Sequence, residues 1–395
     1  MSEIKVNSIK GVAASTAALT INNTDGTCTA NVTNRFNKNL IINGAMQVAQ
    51  RGTSTTTGTG GYYTIDRYLT SFTGADEALT ISQSDVASGT TPYTSGFRKA
   101  LKIQNGNQTS GAGAGDFAQV QTRLEAQDIA KSGWNYVSAS SYVTLSFWVK
   151  SSVAQNFYVY LRTVDGTSQA YTIETGSLSA DTWTKVTKKI PGNSNLQFDN
   201  NNDQGLQIVF APFWGTDFTD SGVSLNAWRA YASGTRTPDF TSTWWTTNDS
   251  TFEITGLQLE VGSVATDFEH RSFADELLKC QRYFCKSFDI DTFLSDISSG
   301  NDKFEGAISQ RSIVSTGNNI LFSPYPVVMR SLPTVTLHGP TDGTKASGTI
   351  RGSGNAAITN LGLQNTNSER QLCFTFTSNS AHSFISAHYL ADAEL

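Results

Sequence analysis

From Leu40 to about Phe268 the sequence repeats one local pattern: a short run rich in β-branched and aromatic residues, then a cluster of Gly, Asn, Asp, Ser or Thr. Tyr142-Val-Thr-Leu-Ser-Phe-Trp-Val149, Phe157-Tyr-Val-Tyr-Leu161, Thr182-Trp-Thr-Lys-Val-Thr187, Leu206-Gln-Ile-Val-Phe-Ala-Pro212 and Phe252-Glu-Ile-Thr-Gly-Leu-Gln-Leu259 are such runs. Branched and aromatic side chains fit a pleated, half-buried surface, and the intervening residues supply turn backbone. Asp165-Gly166 marks a hairpin turn, while Gly58 to Gly61, Gly111 to Gly115 and Asn193 to Asn202 read as loops. A charged fraction of only 15% together with 33 Gly suits strands and turns better than helices. The fold class is all-β, and one continuous strand rhythm over 40-270 suits a decorated jelly-roll β-sandwich.

The flanks differ. Residues 1-39 hold short apolar pulses (Ile4, Val6, Ile9, Leu19, Ile21) and no aromatic before Phe36. Too little apolar surface is present to bury a core, so an ordered segment must pair with other copies or dock on another protein; the alternative is a floppy tail. One helix is expected over 271-287. Ser272 caps it, Asp275 completes a capping box, and Phe273, Leu277, Cys280 and Phe284 share a face widened by Leu278 and Cys285. Such a helix is a strut on the sandwich or, alternatively, part of a bundle on an oligomer axis. Strand patterns resume at Asn319-Ile-Leu-Phe322, Thr334-Val-Thr-Leu337, Gln371-Leu-Cys-Phe-Thr-Phe-Thr377 and Ser383-Phe-Ile-Ser-Ala-His-Tyr389, which makes 288-395 a second, smaller β-domain.

Few kinds of chemistry fit. A net charge of −5 without runs of one sign gives nucleic acid or anionic lipid little to hold. The opening MSEIKVNSIK has no apolar core of a secretion signal, and no run of about 18 apolar residues could span a bilayer, so synthesis in the cytoplasm without membrane insertion is expected. Cys28, Cys280, Cys285 and Cys373 are scattered without a nearby His and read as buried thiols. His270, His338, His382 and His388 stand near no Gly-x-Ser-x-Gly elbow, and His382 and His388 share a strand face without a third ligand. Gly111-Ala-Gly-Ala-Gly115 runs into Asp116, which would repel a phosphate. Glu253 and Glu260, seven apart, face opposite ways unless a bulge at Gly256 intervenes. No catalytic residue, metal or cofactor is expected, and the chain is not expected to be an enzyme.

Aromatic residues say more, at 11% with seven Trp. Phe147, Trp148 and Trp183 lie in strands and are expected in the core. Trp214, Trp228, Tyr231, Trp244 and Trp245 lie in a stretch that reads as long loops, beside Asn, Asp and Arg. Flat rings beside hydrogen-bonding groups suit sugars, which makes these five the candidate glycan-binding residues. The competing reading has them pinning a loop to the sandwich or lining a subunit interface.

Asn39-Leu-Ile-Ile-Asn-Gly-Ala-Met-Gln-Val-Ala-Gln-Arg-Gly52 and Tyr63-Thr-Ile-Asp-Arg-Tyr68 resemble segments of bacteriophage tail-fibre and related virion fibre proteins, especially those of marine phages. So do Phe252 to Gly262, Ala265-Thr-Asp-Phe-Glu-His270, Cys280-Gln-Arg-Tyr-Phe284, Met329-Arg-Ser-Leu-Pro-Thr-Val-Thr336 and Ala391-Asp-Ala-Glu-Leu395, in the same order. The central part also resembles jelly-roll carbohydrate-binding modules. Those often hold a structural calcium, whereas Ala45-Met46 and Gln258 here offer no carboxylate for one. The resemblance implies a virion structural protein, a homotrimer attached to other virion proteins through its N-terminal segment and facing a host-surface glycan or receptor. Weak sites would gain from trimeric avidity. Two alternatives stay open: a capsid- or collar-mounted fibre without a receptor role, and a polysaccharide-degrading tailspike, although no repeat of β-helix period occurs.

Overall fold

Alternation along each strand decides which face is buried, and the sandwich follows from it. The structure, a computed structural model, describes residues 6–9, 19–21, 24, 28–30, 37–297, 305–310, 317–340, 348–351, 356–358, 362–363, 367–378 and 384–395. Near the N-terminus β1 (Ser8–Ile9), β2 (Leu19–Ile21) and β3 (Cys28–Ala30) form an antiparallel meander, paired with one another.

The sandwich comprises β4 (Ser54–Thr57), β5 (Leu69–Thr73), β6 (Leu79–Asp85), β7 (Lys99–Gln104), β8 (Phe117–Glu125), β9 (Tyr142–Ser151), β10 (Asn156–Thr163), β11 (Gln169–Ser177), β12 (Thr184–Pro191), β13 (Gln204–Trp214), β14 (Trp228–Ala230) and β15 (Thr251–Val261). Two six-stranded antiparallel sheets result, ordered β12-β9-β15-β7-β6-β4 and β14-β11-β10-β13-β8-β5. Val143, Leu145, Phe147 and Val149 of β9 face Phe157, Val159 and Leu161 of β10 and Ile208 and Phe210 of β13 in one core. Phe147 meets Phe210 edge-on at 5.0 Å, and Phe157 meets Phe252 at 5.1 Å. This two-layer arrangement is the β-sandwich expected from the strand rhythm.

Two expectations about β9, β12 and β15 are corrected. Trp148 is flanked by the buried Phe147 and Val149, so alternation places it on the outer face of the first sheet, half-buried; Trp183 lies beside it, with Lys150 Nζ 5.1 Å from its ring. Gly256 does carry a bulge: its φ is 65°, the register with β9 shifts between Thr255 and Gln258, and the ring of Phe97 lies 2.7 Å from where a Cβ would sit. Glu253 and Glu260 therefore share the outer face. Each is engaged separately, Glu253 with Lys150 at 2.9 Å and Glu260 with Thr266 Oγ1 at 2.6 Å.

Among the described residues, four short α-helices interrupt the strands: α1 (Thr91–Thr94), α2 (Ala126–Ala130), α3 (Thr243–Thr246) and α4 (Phe273–Gln281). Ser272 caps α4, its Oγ accepting from Asp275 N at 3.1 Å. The helix is shorter than the span 271-287, because Phe284 to Lys286 become a strand, β16 (Phe284–Lys286). Its packed side is Glu276 and Cys280, while Phe273 and Leu278 are exposed.

The remaining strands are β17 (Ile308–Gln310), β18 (Gly317–Pro324), β19 (Thr334–His338), β20 (Gly348–Arg351), β21 (Ala356–Ile358), β22 (Gly362–Leu363), β23 (Gln371–Ser378) and β24 (Phe384–Asp392). Long β24 pairs with β16, β17, β19 and β20. Strands β16, β18, β19, β23 and β24 share a second core that includes Cys285, Leu321, Leu337, Phe374 and Tyr389, with Met329 among them and Ile308 of β17 packed against it. Cys280, Cys285 and Cys373 are buried free thiols. His388 is buried, its ring nitrogen 2.9 Å from Ser287 Oγ; His382 lies outside the described residues.

Candidate functional site

The two β-regions meet along the segment from Asn39 to Tyr68. Asn39 is fixed to β15: its Nδ2 donates to Leu257 O at 2.9 Å, and its Oδ1 accepts from Leu259 N at 3.0 Å. Asn43, at φ 59°, is fully buried; its Nδ2 donates to Val48 O at 2.8 Å and Asp66 O at 3.0 Å, its Oδ1 accepts from Val48 N at 3.0 Å, and its backbone N–H donates to Glu276. Gly44 follows because Leu257 O lies where a Cβ would go. Gln50 Nε2 reaches Phe284 O at 2.7 Å, joining this web to β16.

Beyond that web a cleft of about 860 Å³ opens between the sandwich and the C-terminal strands. One wall carries Arg51, Thr53, Thr55, Tyr62 and Tyr63; the other carries Lys286, Phe288, Phe293, Thr334, Thr336 and Asp392. Arg51 organises the floor. Its guanidinium stands 3.1 Å from Asp392, 3.4 Å from Glu394 and 3.8 Å from Asp66, and lies 3.7 Å over the Phe284 ring. Burial pulls its pKa down, but the carboxylates of Glu394, Asp66 and Asp392 outweigh that and hold it above the usual value. Burial pushes Asp66 up to about 6, against the opposing pull of Arg51 and Gln50. Burial lowers Lys286 to about 8; its ammonium donates to Ile290 O at 3.1 Å and Thr292 O at 2.7 Å. Tyr62 is raised to about 12, by burial first and Glu394 second, and its hydroxyl donates to Leu395 O at 3.1 Å.

Ring faces, threonine hydroxyls and fixed charged heads thus line one cleft, a combination that binds a ligand with apolar faces and several hydroxyls. The cleft's carboxylates are already held: Asp392 and Glu394 by Arg51, and Glu394 also by Arg67.

The aromatic residues singled out from sequence lie elsewhere. Trp244 and Trp245 are 0% exposed in the main core, with Trp245 stacked on Phe213 at 5.3 Å. The expectation of exposed rings fails there because α3 turns both inward. Trp214 is 2% exposed, packed beside Tyr160 at 5.6 Å beneath a loop that brings Phe218 and Phe240 over the second sheet. Trp228 is half-buried against Tyr171 and donates to Pro191 O at 2.7 Å. Tyr231 is half-buried on the outer face of the second sheet, under the Arg162 guanidinium at 3.8 Å. The five therefore form no common platform. Tyr62, Tyr63 and Phe293 escape sequence patterning because the two walls of the cleft lie more than two hundred residues apart in sequence. The one local signal is Tyr62-Tyr63 after a Gly-rich turn.

No family model matches the chain, and no curated protein matches it. Among solved structures, it is similar to the enzymatically active domain of bacteriophage CBA120 tailspike protein 4, at 11% identity and TM-score 0.29, covering 57% of this chain and 22% of that one. It is also similar to a putative sugar binding protein from Bacteroides thetaiotaomicron, at 15% identity and TM-score 0.27, over 57% of this chain and 100% of that one. A xylan-binding domain from Paenibacillus barcinonensis aligns at 10% identity and TM-score 0.27, over 57% and 96% of the two chains. The chain spans under a quarter of the tailspike domain. The all-β assignment rests on the sheet order above.

Proposed function

We propose that this chain is a virion fibre protein, a homotrimeric tail fibre or adhesin that holds a host-surface glycan without catalysis, mounted on the virion through its N-terminal segment. The virion and trimer elements rest on the sequence resemblance. Glycan binding rests on one observation: the 860 Å³ cleft in which Tyr62, Tyr63 and Phe293 stand among Thr53, Thr55, Thr334 and Thr336 hydroxyls. Sugar rings present apolar C–H faces to aromatic planes and hydroxyls to such donors and acceptors. Clefts at domain junctions are common ligand sites.

The test is binding of labelled protein to intact host cells, with Tyr63→Ala and Phe293→Ala variants whose melting curves show a folded chain. Loss of about tenfold or more in apparent affinity supports the cleft. Full binding by both variants removes the cleft from the reading. Failure of the wild-type protein to bind any host would leave a capsid- or collar-mounted subunit with no receptor role.

A further inference from the structure

Across the second sheet one row of partners reads Arg229 on β14, Ala170 on β11, Arg162 on β10, Gln207 on β13 and Arg123 on β8. Tyr160, two residues before Arg162, stands on the same outer face, and Arg236 comes from the covering loop. Arg123, at the far end of the row, donates from Nη1 to Leu395 O, while its Nε is buried without a partner. The other three guanidiniums face no carboxylate: no ion pair among the described residues includes Arg162, Arg229 or Arg236. Asp239, in the same loop, is held by Thr219 Oγ1 at 2.6 Å.

What surrounds these arginines is built and partly unfilled. Arg162 lies 3.8 Å over Tyr231, and Arg236 lies 5.4 Å from the Trp214 ring and 4.9 Å from that of Phe218. Arg229 Nη2 donates to Thr172 Oγ1 at 2.9 Å and Thr235 O at 3.1 Å. Yet Nε of Arg162, Nε and Nη1 of Arg229, Nε of Arg236 and the hydroxyl of Tyr160 are buried without a hydrogen-bond partner. Tyr160 itself is 2% exposed. The charges of Arg236, Arg162 and Arg229 all act on that hydroxyl. Between Arg162 and Arg229 in this row stands Ala170, whose side chain is only a methyl and offers no acceptor to either guanidinium. A buried donor without an acceptor is costly, and several together around three cations call for an anion.

We propose that this face is an anion site formed by Arg162, Arg229, Arg236 and Tyr160, and that its ligand is the carboxylate of an acidic saccharide. Planar guanidinium forks match a carboxylate's two oxygens, and the Tyr231 ring beside them suits a sugar face. That the carboxylate sits on a sugar rests on the glycan reading above; the anion site does not. The site is separate from the cleft, with no residue in common.

The experiment titrates the full chain with oligogalacturonate and with hyaluronan oligosaccharides, each beside its carboxyl-reduced form, and with acetate. Expected is binding of at least one acidic oligosaccharide that weakens with salt, falls about tenfold or more on carboxyl reduction, and falls comparably in Arg162→Gln and Arg236→Gln. Tyr160→Phe separates binding from folding: it removes an unpaired buried hydroxyl, so it should raise the melting temperature while weakening the acidic ligand. Equal binding of native and reduced forms, or undiminished binding by the arginine variants, overturns the anion site and leaves the glycan reading intact. Acetate as tight as the oligosaccharides overturns the saccharide part alone. Normal attachment to cells with no acidic oligosaccharide bound also overturns the inference.

Discussion

Asn43 shows how one side chain can hold several segments at once. It occupies the left-handed region and satisfies three groups with its amide, so Asn43→Ala loses those bonds and strains the backbone. A loss of about 3 kcal/mol in urea unfolding is expected, and Asn43→Gly should cost about 1 kcal/mol less because glycine tolerates φ 59°. Equal costs would show that backbone strain plays no part. Nearby, Asp66 titrates near 6 because it is buried. Between pH about 4 and 6 the folded chain keeps a proton that the unfolded chain gives up, so stability falls as pH rises through this window and is flat above it, by up to about 3 kcal/mol. Asp66→Asn should flatten that slope. Parallel stability–pH curves for the two proteins would contradict the assignment.

At the scale of elements, α3 and the β15 bulge do work that their sequences only partly announce. Thr243-Trp-Trp-Thr246 makes a single turn whose two indoles fill the main core, so Trp244→Ala should lower stability by about 3–5 kcal/mol. Binding per folded molecule should not change, since neither ring lines the cleft; a folded Trp244→Ala protein that fails to bind cells would implicate α3 in recognition. Gly256 permits both the positive φ and the approach of Phe97, and it turns Glu253 and Glu260 to the same side of the sheet. Replacing Gly256 with Ala should cost about 2 kcal/mol in thermal or urea unfolding, and an unaffected protein would mean that the bulge relaxes without Gly.

At the scale of the molecule, the two cores that form the cleft are joined by buried and half-buried charge. Arg67 pairs with Glu394 and lies 3.4 Å over the Tyr283 ring, while Glu125 accepts from Arg282 Nε at 2.8 Å and from the Tyr283 hydroxyl at 2.6 Å. Burial would raise the Glu125 pKa, but the hydrogen bonds from Arg282, Tyr283 and Gln127 outweigh it and hold it below the usual range. Glu394→Gln leaves Arg67 buried without its counter-charge, and about 3 kcal/mol should be lost. Calorimetry should then resolve the C-terminal strands melting ahead of the sandwich. A single transition at the original temperature would show that the junction does not depend on this pair.

Local patterning determined much of the chain: alternation in Tyr142 to Val149 and Leu206 to Pro212 specified strands, Ser272 with Asp275 specified a helix start, and Asp165-Gly166 specified a hairpin. These signals rest on period, turn chemistry and capping, which act over a few residues. Whether an aromatic ring faces solvent is set by what lies across from it. Trp148 was expected inside and is half-exposed, while Trp244 and Trp245 were expected outside and are buried, because exposure follows strand parity and the path of a covering loop. Only the tertiary structure brought Tyr62 and Tyr63 opposite Phe293, or set Arg162 and Arg229 in one sheet row beneath the loop that carries Arg236, since residues far apart in the chain meet only through strand order and packing.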